Sequence, residues 1–103
     1  MNTWLVTAFC ISIQCGAMGT GITQSGRKAV IGRTVACPPE LEHGTVLYIE
    51  DVGIRVCEDR GSSVKGKHVD ILMSNYKEAM KWGRKYREVR ILREPPWIPQ
   101  GVD

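Results

Sequence analysis

Asp59 and Asp70 are the residues of this sequence best suited to chemistry. They lie eleven residues apart, joined by a segment that contains Gly61, Ser62, Ser63 and Gly66. Such a linker is small and flexible enough to fold back and turn both carboxylates toward one cleft. Two carboxylates in one low-dielectric site cannot both ionise cheaply, so the pKa of one rises. A raised carboxyl group is a competent general acid near neutral pH, and each pKa unit corresponds to about 1.4 kcal/mol. Pattern alone leaves a second reading open, a surface loop in which Asp59 starts a turn and Asp70 is solvated. Lys65 sits between the two acids, where it can hold Asp59 ionised, contact a substrate or simply be exposed. His68, two residues before Asp70, shares its side of a strand. His43, beside Gly44, reads as a loop residue.

Other chemistries lack their signatures. Neither histidine has the paired spacing of a metal site, and no nucleophile stands beside a fixed base. Gly19-Thr20-Gly21 is not a GxGxxG or Walker pattern, so no phosphate cradle is expected. We expect neither a metal nor a cofactor. The four cysteines, Cys10, Cys15, Cys37 and Cys57, do not form the two close pairs of a zinc ribbon. Two disulfides would suit a small domain outside a reducing cytoplasm. Free buried cysteines are the alternative, because Cys37 and Cys57 sit in apolar strand-like runs. A net charge of +3 is too small to make nucleic acid a default partner. Seven of the fourteen basic residues fall between Lys77 and Arg93, which reads first as a solvated face.

The elements that would position the acids are short strands. Trp4–Cys10 is rich in β-branched and aromatic residues. Residues 15–33 are a Gly-rich loop, and a loop that long in so small a domain is usually functional or disordered. Thr34–Cys37, Thr45–Ile49, Ile54–Cys57, Val69–Met73 and Arg87–Leu92 follow as strands, with Asp51-Val52-Gly53 as a hairpin turn. Val89 and Ile91 share a face of the last strand. One helix is expected over residues 75–83, capped by Asn75, boxed by Glu78 and stopped by Gly83, with Tyr76, Ala79 and Met80 as an apolar stripe. Pro95, Pro96 and Pro99 mark a tail over residues 94–103. The count suggests a mainly β protein, a small closed barrel over residues 1–93 with an inserted helix. The uncharged start lacks a basic n-region and a good cleavage site, and at roughly ten apolar-leaning residues it is too short to span a bilayer. It reads as a first strand, with no export signal.

Taken together, several stretches resemble the 3D domain, a family named for three aspartates. They are Val6–Cys10, Thr23–Gly26, Gly32–Ala36, Gly44–Ile49, Glu58–Gly61, Val64-Lys65-Gly66, Val69-Asp70-Ile71 and Glu78–Arg84. The match runs in order over residues 6–92. The family occurs in membrane-bound lytic transglycosylases of the A type and in stationary-phase-survival and cell-wall-remodelling proteins, many carried by phages. The resemblance implies a six-stranded double-psi β-barrel acting on peptidoglycan glycan strands at the cell wall. Its implied reaction is non-hydrolytic cleavage between N-acetylmuramic acid and N-acetylglucosamine to a 1,6-anhydro end. Asp70 would then be the catalytic acid/base and Asp59 its electrostatic partner. Thr7 and Ser25 match positions that line the family's cleft. A monomer without stable membrane insertion is expected.

Departures from the family pattern bear on activity. The first aspartate normally follows the Val-Ala pair and precedes a proline, whereas this chain has Ala36-Cys37-Pro38-Pro39. Glu40 and Glu42 are the nearest acids. Phe9 stands where a tyrosine is usual, and Ser62 replaces the second glycine after Asp59. These differences leave a non-catalytic glycan-binding or phage structural module as the alternative function.

Overall fold

The computed structural model describes residues 2–11 and 21–95. The elements run β1 (Thr3–Phe9), β2 (Thr34–Ala36), β3 (Val46–Ile49), β4 (Gly53–Asp59), β5 (His68–Leu72), α1 (Tyr76–Trp82) and β6 (Lys85–Arg93). The strands close in the order β1-β5-β2-β4-β3-β6. Pairs β1/β5 and β2/β4 are parallel and the other four are antiparallel. The result is the expected closed six-stranded barrel with a single helix.

Side-chain alternation divides each strand between core and surface. Trp4 and Val6 of β1 and Val69 and Ile71 of β5 are buried in one core with Val35, Leu47, Ile49 and Val89. Fully burying such a side chain contributes about 1.5–3 kcal/mol. Thr7 and Asp70 fall between these core positions and so project from the opposite side of the sheet. Ile91, expected beside Val89 on one face, is exposed. Ile91 still pairs in register with Leu47, and the β3/β6 register slips only beyond it, where Val46 pairs with Arg93.

Asn75 accepts the Glu78 N–H at 2.8 Å, and Gly83, at φ 70°, donates its N–H to the Ala79 carbonyl. The expected stripe does not seat the helix. Tyr76 and Met80 are 48% and 62% exposed, and no residue of α1 is buried. Trp82 anchors it instead, packing on the core and donating its indole N–H to the Val6 carbonyl at 3.0 Å. A seven-residue helix is not stable alone, so this anchor holds it.

The cysteine alternatives resolve in favour of disulfides. Cys37 is bonded to Cys57, with Cα atoms 5.5 Å apart, and Cys10 is also disulfide-bonded. Cys15 lies outside the described residues, as do Gly16, Gly19, Pro96 and Pro99. From residue 21 onward the Gly-rich loop is irregular apart from one bridge, Ile22 with Lys28. No helix among the described residues is long and apolar enough to cross a membrane.

Candidate functional site

The two acids are brought together by a strand rather than by their linker. Asp70 pairs with Thr7 on β1 and with Ala36 on β2. Ala36 in turn pairs with Asp59 on β4. Thr7, Asp70, Ala36 and Asp59 therefore form one row across four adjacent strands, and residues in register project from the same face. Ala36, the smallest side chain of β2, stands between the acids and is itself buried. With strands about 4.8 Å apart, the two aspartate Cα atoms are separated by about 10 Å.

A β-bulge completes the row. Val35 pairs with Cys57 but Ala36 pairs with Asp59, leaving Glu58 as the extra residue. Bulges of this kind re-aim side chains near functional sites. In unbroken register Ala36 would face Glu58, and Asp59 would point away. Glu58 is instead buried beneath the 21–33 segment. Its Oε1 accepts from the Thr34 hydroxyl at 2.6 Å and from Arg33 Nε at 3.0 Å. The Arg27 guanidinium lies 3.0 Å from Oε2 as an ion pair, without hydrogen-bond alignment. The Glu58 carbonyl also accepts the Ser25 N–H at 3.0 Å. Glu58 thus ties the loop to the barrel beside the row.

Asp59 is half-buried and fixed by backbone donors, accepting the Gln24 N–H at 3.0 Å and the Arg60 N–H at 2.9 Å. The Arg60 side chain donates to the carbonyls of Cys37 and Leu41, stapling the turn after β2. His43 Nε2 donates to the Gln24 side-chain oxygen. Burial, then the nearby Arg60 charge, hold the His43 ring below its usual pKa, with Asp59 and Glu58 opposing. His43 sits on the turn before β3, a loop residue as expected, and its ring lies next to Gln24 and Asp59.

Asp70 has different surroundings. Its Oδ1 is 2.8 Å from the Thr7 hydroxyl, and the same hydroxyl is 2.8 Å from His68 Nε2. Burial pushes the Asp70 carboxyl above the usual carboxylate range. The Thr7 hydrogen bond and the His68 charge pull it down, and Asp59 pushes it up. The acid of raised pKa expected from two nearby carboxylates is present, but desolvation is its main cause.

The remaining site residues fare differently. Ser25 sits in the loop that touches Asp59's neighbours. Its hydroxyl bonds to Thr23 at 2.8 Å and accepts the Arg27 N–H at 3.3 Å. Lys65 is exposed and lies outside the strands that carry the row. Glu40 and Glu42 are exposed as well. The place expected for the family's first acid belongs to Cys37, which is fully buried and bonded to Cys57. Gln24 gave no signal in the sequence, because it meets Asp59 through its backbone.

This chain is similar to the cell wall-binding protein YocH of Bacillus subtilis (strain 168). The two are 28% identical over 91 residues, covering 84% of this chain and 31% of YocH. The chain thus spans about a third of that relative's length. Among solved structures it is similar to MltA from E. coli, at 23% identity and a TM-score of 0.60. That likeness covers 75% of this chain and 28% of MltA, and it is one of fold. Residues 33–93, more than half of the chain, match the 3D domain, and the chain belongs to that family.

Proposed function

We propose that this protein acts on peptidoglycan at the cell wall, as a lytic transglycosylase with Asp70 as its single acid/base. The observation that carries this reading is the row itself: a desolvated Asp70, its carboxyl pushed above the usual carboxylate range, across the small Ala36 from Asp59. Family membership and similarity to a cell wall-binding protein supply the substrate class.

In this reaction the protonated Asp70 donates to the glycosidic oxygen between N-acetylmuramic acid and N-acetylglucosamine. The bond from that oxygen to C1 breaks, and positive charge develops at the sugar ring. Asp59, held in place by two backbone N–H groups, stabilises that charge. The Asp70 carboxylate then takes the proton of the muramic acid 6-hydroxyl as its oxygen bonds to C1. Asp70 is restored, a 1,6-anhydro ring forms and no water is consumed. Because the nucleophile belongs to the substrate, one carboxyl group serves both steps, unlike the carboxylate pair of most glycoside hydrolases.

Incubation with purified sacculi, followed by mass spectrometry of the released muropeptides, tests the proposal. Wild type should release anhydro-muropeptides, and Asp70→Asn should lower the rate by about 10²–10⁴-fold. One observation favours a second reading, a glycan-binding module without chemistry: a buried disulfide occupies the place of the family's first acid. Binding to sacculi with no product from wild type would establish that alternative.

A further inference from the structure

Asp70 is one end of a hydrogen-bonded chain that the proposed reaction leaves unused at its other end. The Ser63 carbonyl lies 3.2 Å from His68 Nδ1 and can only accept, so Nδ1 carries a proton. His68 Nε2 faces the Thr7 hydroxyl at 2.8 Å, and that hydroxyl faces Asp70 Oδ1 at 2.8 Å. The hydroxyl's other acceptor, the Val69 carbonyl, is at 3.5 Å and competes weakly.

Two proton arrangements satisfy every bond in the chain. In one, Asp70 is a carboxylate, Thr7 donates to it, and a doubly protonated His68 donates Nε2–H to Thr7. In the other, a protonated Asp70 donates to Thr7, which donates to Nε2 of a neutral His68. The two hold the same number of protons. They interconvert when two protons each move along one hydrogen bond.

We infer that His68 is the proton store of Asp70, coupled to it through the Thr7 hydroxyl and locked in orientation by the Ser63 carbonyl. The inference deepens the acid/base reading of Asp70 and rests on it for its role in turnover. His68 touches no substrate in this scheme and is a positioning residue. It is nearly buried, so its proton is shielded from bulk exchange between the two steps. The charged groups acting on Asp70 are His68 on its own strand and Asp59 across β2. Strand β1 brings only neutral partners, Thr7 to Asp70 and Leu5 to His68. Sequence parity places His68 on the Asp70 side of β5, but only the parallel β1/β5 pairing puts a hydroxyl between them.

Nuclear magnetic resonance titration of the His68 ring nitrogens and the Asp70 carboxyl carbon tests the coupling without needing turnover. Interacting sites share macroscopic steps, so in wild type and Thr7→Ser both nuclei should trace the same two steps. In Thr7→Val each should trace chiefly its own. Identical His68 titrations in Thr7→Val and Thr7→Ser would overturn the inference. Should Thr7→Val fail to fold, Asp70→Asn decides: an unmoved His68 titration would be equally fatal. On sacculi, Thr7→Val and His68→Gln should lower kcat by about 10–100-fold with KM unchanged, and Thr7→Ser should recover it. Absence of product from wild type would defeat the transglycosylase reading, while the titration would still decide whether His68 and Asp70 share a proton.

Discussion

Glu58 and Asp70 are both carboxyl groups withdrawn from water on neighbouring parts of one barrel, and their surroundings are opposite. Glu58, 1% exposed, meets two arginines and a threonine hydroxyl. Asp70 meets one hydroxyl and, beyond it, a histidine, with Asp59 adding repulsion. Two arginine charges and a threonine hydroxyl make Glu58 a tie that holds the 21–33 segment beside the row. Partial compensation leaves a carboxyl group that holds a proton reluctantly enough to exchange it, which is the condition for acid/base work. Residues 58 and 59 make the same contrast one peptide apart, because the bulge sends one side chain under the loop and the other into the row.

Removing compensation from Glu58 is the strongest way to break this contrast by stability. Arg27→Ala with Arg33→Ala strands a buried carboxylate and should cost about 3–5 kcal/mol, read by urea unfolding. Glu58→Gln should cost less, since Arg27 and Arg33 are 56% and 33% exposed and can be rehydrated. If the two variants prove equal, the tie is not electrostatic.

The Cys37–Cys57 disulfide crosses from the end of β2 to β4 within the core, with a sequence separation of 20. Loop-closure entropy for that length gives about 3 kcal/mol, so Cys37→Ala with Cys57→Ala should lose that amount in the same assay. Loss of stability without loss of glycan binding would show that the disulfide supports the barrel and not the row of acids.

The smallest expected effect has the opposite sign. Because the folded-state pKa of Asp70 is raised, the folded chain binds this proton more tightly than the unfolded chain does. The associated stability is full below the ordinary carboxylate pKa of about 4 and is lost as pH rises through the raised value. Asp70→Asn does not titrate, so its melting temperature should fall less between acid and neutral pH than that of wild type.

The strands and the helix were legible in the sequence because each rests on local signals: β-branched runs, the Asp51–Gly53 turn, the Asn75 cap and the Gly83 stop. The pairing of Asp59 with Asp70 was legible as a pair, but for a different reason from the true one. Their linker does not fold them together; β2, distant in sequence, lies between β4 and β5 and pairs with both. Long-range registers of this kind leave no local trace, and neither does a bulge. For the same reason the Arg27 and Arg33 ties to Glu58 could not be seen, since the partners are 31 and 25 residues apart. Tyr76 and Met80 misled because helical spacing records which residues share a face, not whether that face is covered. His68 did carry a signal, its two-residue offset from Asp70, but the hydroxyl that gives the offset meaning comes from β1.

The central claim, that Asp70 is a desolvated carboxyl group kept for proton transfer to a glycan, is tested most directly by two readings on Asp70→Asn. These are anhydro-muropeptide release from sacculi and melting temperature at pH 7, each against wild type. Product release should fall by about 10²–10⁴-fold while the melting temperature rises. Undiminished product, or a variant that melts lower than wild type, would contradict the claim.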